Sequence, residues 1–127
     1  MMKKEGFALL LLVAVLVGSA LNLRYLKGLS GTLSQQVESV SSAAEQGDWE
    51  TAENLALASM DLWTGTDKYT HIFIRHGEID AITDDYCTLL GAIRNQDIGV
   101  LSTARLMLLN RFASLYEMER FKAGSIL

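Results

Sequence analysis

Residues 6–23 read GFALLLLVAVLVGSALNL. These 18 residues carry no charge, and Ser19 and Asn22 are their only frankly polar members. As a helix rising about 1.5 Å per residue, the run extends roughly 27 Å, close to a hydrocarbon core of about 30 Å. It reads as a membrane-spanning helix, and the remainder reads as a small domain tied to it. Lys3 and Lys4 precede the run, as in the basic flank of a signal sequence or signal anchor. Gly18-Ser19-Ala20 offers small residues for a cut after Ala20. Against a cut, the apolar period does not stop there. Leu26, Leu29, Leu33, Val37, Val40 and Ala44 continue it at spacings of three and four. An uncleaved anchor over residues 1–26 that runs on as a helix into the next domain fits this continuity better. Arg24 and Lys27 on the far side weaken the charge asymmetry. The expected topology is a single pass through the cell membrane with the C-terminal domain extracytoplasmic.

Composition narrows the rest. The chain has 127 residues, and the part beyond the anchor suffices for one compact domain. It contains no proline, which favours uninterrupted helices. Its β-branched residues do not alternate with polar ones, so no segment reads as a half-buried strand. The net charge of −4 is unevenly spread. Residues 38–97 carry 12 acidic side chains against Lys68, Arg75 and Arg94, whereas Arg105, Arg111, Arg120 and Lys122 outnumber Glu117 and Glu119 afterwards. An acidic middle packing beside a basic last helix follows from ordinary face pairing. The dense basic stripe of a nucleic-acid binder is missing. Cys87, the only cysteine, allows no internal disulfide and reads as a small apolar residue.

The periodicity predicts four helices in an all-α bundle over residues 27–122, with residues 123–127 fraying. Gly28 and Gly31 are candidate bends where the first helix leaves the bilayer. That helix ends at Gln46-Gly47, where glycine suits the left-handed closing position. Asp48 then caps the second helix, whose stripe is Trp49, Ala52, Ala56, Ser59 and Trp63, with Leu55 and Leu62 beside it. Thr64-Gly65-Thr66 breaks the pattern, and Thr66 or Asp67 caps a third helix reaching Arg94. Its stripe is Ile72, His76, Ile79, Thr83, Tyr86, Leu90 and Ile93. Asn95-Gln96-Asp97 is the next break. The fourth helix carries Leu101, Ala104, Leu108, Phe112 and Leu115, and apolar residues spill onto other faces at Met107, Leu109, Tyr116 and Phe121. It should therefore be the most buried. The breaks Glu45-Gln46-Gly47-Asp48 and Arg94-Asn95-Gln96-Asp97 lie 49 residues apart. Two helical hairpins stacked as an antiparallel bundle account for both.

The residues best able to carry chemistry are His76, Glu78 and Asp80. At 100° per residue His76 and Asp80 share a face and Glu78 points nearly opposite, so one helix cannot bring all three to a metal. One other histidine and one cysteine are too few to complete a zinc site, and no metal or cofactor is expected. His76 on an apolar stripe reads as a boundary histidine hydrogen-bonded to Asp80 or across the bundle. Asp80, Asp84 and Asp85 form an acidic face, with Arg105 and Arg111 as the obvious partners. Trp49 and Trp63 are either core residues at helical spacing or marks of a binding surface. With His76, Glu78 and Asp80 they make the candidate interaction or ligand face. No catalytic constellation is recognisable, so an enzyme is not expected.

Three resemblances bear on function. Glu5-Gly6-Phe7 before a long apolar helix resembles the cleavage site of type IV pilin-like proteins, but Leu11 stands where most of them carry glutamate. Gly47-Asp48-Trp49-Glu50-x-Ala52 resembles the opening of a tetratricopeptide repeat, and no second copy follows at that repeat's spacing. The whole order resembles a bacterial family of small, N-terminally anchored, all-helical proteins described as a domain of unknown function. That order runs from a membrane helix through Asp48-Trp49-Glu50-x-Ala52, Trp63 and His76-x-Glu78-Ile79-Asp80-x-Ile82 to the Asp97 cap. The resemblance implies one anchor and a helical domain, and it transfers no activity. The expected role is an interaction or assembly module with a protein partner at the lipid bilayer. A bundle binding a small molecule or cation is the alternative, and a pilin-like subunit the lesser one. Ala14 and Gly18, a small-xxx-small pair, leave open a homodimer through the membrane helices.

Overall fold

The computed structural model describes residues 2–65 and 76–126. Among these, four helices are seen: α1 Met2–Glu45, α2 Trp49–Gly65, α3 His76–Arg94 and α4 Ile98–Ile126. The expected third-helix cap at Thr66 or Asp67, and Ile72 on its stripe, lie outside the described residues. Each helix packs on the next in the chain, and α4 closes the ring by packing on α1. This is the antiparallel bundle of two hairpins that the breaks imply. α1 runs without interruption through Gly28 and Gly31. No residue from Lys3 to Tyr25 is buried, and Leu26, at 3% exposure, is the first core residue. The apolar run and the bundle's first wall are thus one helix. Helical backbone in α4 continues to Ile126, past Lys122, where the sequence pattern ends the bundle.

The two turns share one local mechanism. Gly47 has φ of 78°, its amide donates to the Ala44 carbonyl at 3.0 Å, and the Asp48 amide donates to that of Ala43 at 2.9 Å. These two bonds satisfy carbonyls that the end of α1 would otherwise leave open, the Schellman arrangement. Forty-nine positions later Gln96 has φ of 51°, with Gln96 N–H to Ile93 O at 3.1 Å and Asp97 N–H to Ala92 O at 2.8 Å. In both turns the aspartate then caps the next helix. Asp48 Oδ1 accepts from the Thr51 amide at 3.2 Å, and Asp97 Oδ1 accepts from the Val100 amide at 3.1 Å. The Thr51 hydroxyl also donates to Asp48 Oδ2 at 2.7 Å, and these bonds to Thr51 hold the Asp48 carboxyl below the usual carboxylate range.

The core follows the stripes. Leu26, Leu29, Leu33, Val37, Val40 and Ala44 of α1 are all buried, as are Leu101, Ala104, Leu108, Phe112 and Leu115 of α4. On α2 the buried residues are Ala52, Ala56, Ser59 and Trp63. The three small side chains let α2 lie close to its neighbours, and Trp63 fills the lower end. On α3, Ile82 and Leu89 are fully buried alongside Ile79, Tyr86, Leu90 and Ile93, which widens the stripe read from sequence. Burial of a side chain the size of leucine or phenylalanine contributes about 1.5–3 kcal/mol, so these rows supply the main cohesion.

One expectation is corrected. The apolar residues of α4 that spill beyond its stripe do not make it the most buried helix. Leu106, Met107, Met118 and Phe121 are exposed, and Leu109 and Tyr116 are half-buried. A helix at the corner of a four-helix ring touches two neighbours, which cover only the arc toward α1 and α3. Side chains beyond that arc face outward whatever their polarity.

Candidate functional site

A polar layer crosses the bundle between α2 and α3. The Ser59 and Tyr86 hydroxyls, both buried, lie 2.7 Å apart and share a hydrogen bond. Burial pushes the Tyr86 phenol up to about 12, a rise that the bond to Ser59 only partly opposes. The Tyr86 ring leans on Phe112 with centroids 6.2 Å apart, tying the layer to α4. One turn nearer the apolar run, Trp63 Nε1 donates to Thr83 Oγ1 at 3.3 Å, and the Thr83 hydroxyl donates to the Ile79 carbonyl at 3.0 Å. Polar atoms taken from water are thus satisfied by partners on a specific neighbour, which fixes register between helices.

Charges complete the seams. Asp85, on the face of α3 toward α4, is buried and pairs with Arg111 Nε. Arg105 does not serve the acidic face of α3; it reaches the other way, and its guanidinium donates to Glu38 Oε1 of α1 at 2.7 Å. Asp80 and Asp84 are exposed. The exposed pair Arg94–Glu53, at 3.4 Å, joins α3 to α2 and contributes little.

Among the described side chains, Trp49, Trp63, Glu78 and Asp80 do not gather into one face. Trp49 is half-buried at the start of α2 and packs on the core edge, whereas Trp63 is 2% exposed near its other end. Fourteen residues separate them, about 21 Å along the axis. Trp63 lies against the first turns of α3, where Glu78 is half-buried and Asp80 exposed. The His76 side chain lies outside what the structure describes.

A different place has the shape of a site. A groove of about 480 Å³ between α1 and α4 is lined by Gln35, Glu38, Ser39, Ser41, Ser42, Glu45 and Arg105. Of these, Arg105 has a buried Nε with no hydrogen-bond partner. Serines, one glutamine, two carboxylates and a guanidinium already neutralised by Glu38 suit a small polar or zwitterionic molecule rather than a strong anion. Among the described residues, no group of three His, Cys, Asp or Glu side chains is placed to hold a metal ion. The groove is not legible from residue spacing, because Ser and Gln on the outer face of a helix read as ordinary solvated positions.

The family model for a domain of unknown function, DUF4363, matches residues 20–126. The chain belongs to the DUF4363 family. The DUF4363 match begins at Ala20, inside the apolar run, and takes in all four helices of the bundle. The end of the run and the bundle therefore fall within one family unit, in keeping with α1 being continuous. No curated protein matches the chain. No solved structure matches it either.

Proposed function

We propose that this DUF4363 protein is a single-pass membrane protein whose bundle stands extracytoplasmically and serves as a non-catalytic interaction or assembly module. The observation that carries the reading is the continuity of α1. One helix, Met2–Glu45, is long and apolar enough over its first half to cross a membrane and supplies a core wall over its second. The bundle is thereby held at a fixed height and orientation over the bilayer, which suits presenting a surface to a partner. Leu106 and Met107, adjacent large apolar residues left exposed on α4, supply that surface.

The test is the size of the complex extracted from native membranes in lipid nanodiscs. Wild-type protein is expected in a discrete assembly larger than one chain, and the double variant Leu106→Glu, Met107→Glu in a smaller one. Equal, single-chain masses for both would overturn the reading. A second reading, a bundle that binds a small polar molecule, draws support from the α1–α4 groove and the unpaired Nε of Arg105, which lines it. There a ligand-induced rise in melting temperature, abolished by Arg105→Met, is expected in a screen of small polar and zwitterionic compounds.

A further inference from the structure

We infer that the C-terminal turns of α4 are a second membrane contact, docking on the phospholipid headgroups beside the point where α1 leaves the bilayer. The inference rests on the reading of residues 6–23 as a membrane span. Register supplies the geometry. Ser30 of α1 donates to the Phe112 carbonyl of α4 at 2.9 Å, which pins the two antiparallel helices at that level. From Phe112 to Phe121 is nine residues, about 13.5 Å along the axis. The same distance back from Ser30 reaches Leu21, inside the uncharged run. α2 ends at Gly65 and the described part of α3 begins at His76, whereas α4 continues past both toward the membrane.

The side chains at that level suit an interface. Phe121 is 79% exposed and Tyr25 is 41% exposed, so two aromatic rings are presented where headgroups meet acyl chains. Arg24, Lys27 and Arg120 are exposed around them. Arg120 shares its charge with Glu117 at 3.5 Å, both side chains largely in solvent, so the pair is loose enough for a phosphate to replace the carboxylate. An aromatic ring in the acyl boundary with arginine and lysine at the phosphates is the arrangement of an interfacial helix end.

The experiment uses the full chain with Cys87→Ser, reconstituted in vesicles of phosphatidylcholine and phosphatidylglycerol at about 7:3, an anionic surface. Single nitroxide labels are placed by Met118→Cys, Leu106→Cys and Val13→Cys, and collision with a water-soluble nickel chelate is read. The label at 118 is expected to be shielded relative to that at 106, and the label at 13 more shielded still. Phe121→Ser should reduce the docked population about tenfold. Each of Arg24→Gln and Arg120→Gln should reduce it about fivefold. A label at 118 as open as that at 106, with 13 shielded, overturns the docking while leaving the anchor standing. Shielding at 118 that survives all three substitutions also overturns it. A label at 13 open to nickel removes the anchor and the docking with it.

Discussion

The two turns that close α1 and α3 set up a paired substitution whose signs must be opposite. Gly47 and Gln96 occupy the same closing position, with φ of 78° and 51°. A side chain in this left-handed region costs about 1–2 kcal/mol through the close approach of Cβ and carbonyl oxygen, and glycine avoids the cost. Glycine also loses about 0.4–1 kcal/mol more backbone entropy on folding. The difference leaves about 0.5–1 kcal/mol in favour of glycine at either position. Packing does not obscure the comparison, since Gln96 is exposed and a Cβ at Gly47 would meet no atom within 4 Å. Gln96→Gly should therefore stabilise the bundle, and Gly47→Ala should destabilise it by a similar amount. For a bundle of roughly 100 residues, the shifts are about 3–6 °C, upward and downward. Circular dichroism melts of the full chain in one detergent, wild type beside each variant, read both. A fall in melting temperature for Gln96→Gly, or a shift of the same sign for both, would refute the equivalence of the turns.

Other substitutions probe the polar contacts between helices. Tyr86→Phe strands the Ser59 hydroxyl in the core and should cost about 1–2 kcal/mol in urea unfolding; Ser59→Ala on top of it should return part of that loss. The raised Tyr86 pKa has a direct pH consequence. The folded state holds its phenol proton up to about 12 while the unfolded chain releases it near 10, so stability present below pH 10 is lost as pH rises from 10 to 12. Tyr86→Phe should flatten the fall across that window, measured by denaturation at each pH. Arg111→Met leaves the buried Asp85 carboxylate unpaired and should cost about 2–3 kcal/mol, below the full cost of breaking a buried pair because Arg111 is a third exposed. Replacing both by leucine should recover most of it, read by the same unfolding curves. Asp48→Ala and Asp97→Ala should each cost about 1 kcal/mol through loss of a helix cap.

What the sequence discloses is what periodicity and turn chemistry encode. The stripes from Leu26 to Ala44 and from Leu101 to Leu115 are buried at every position, because one apolar face at helical spacing has a single way to leave water. Gly47 and the capping aspartates locate the turns for the same kind of local reason. Ile82 and Leu89 escaped the narrow four-three reading of α3, since a helix touching two neighbours buries an arc wider than one row. The partner of Arg105 was illegible for a different reason. Residue spacing fixes the side of α4 on which Arg105 lies, but Glu38 of α1 or an aspartate of α3 becomes its partner only through how the helices are arranged around the ring. The α1–α4 groove is hidden likewise, being a property of two helices 67 residues apart in the chain at the Arg105–Glu38 contact.

On the proposed reading of residues 6–23 as a membrane span, the continuity of α1 changes what that run can do. An anchor joined by a flexible linker would leave the domain free to tumble over the membrane surface. Here the last turn of the run, through Leu23, and the first core contact, at Leu26, lie within one helical turn of each other. Any rotation or piston movement of the span must then carry Leu26, Leu29, Leu33 and Val37 with it. Those side chains are buried, so the span cannot move alone without uncovering them, at about 1.5–3 kcal/mol for each fully exposed leucine-sized residue. The cheaper response is for the bundle to move as a body. Ser30–Phe112 and Glu38–Arg105 join α4 to α1 along that same stretch, so α4, with its exposed Leu106 and Met107, follows the span. Under the proposed reading of the run as a membrane span, a surface that follows α1 in this way has its position over the bilayer set by that helix, and a partner of the proposed kind would meet it already oriented.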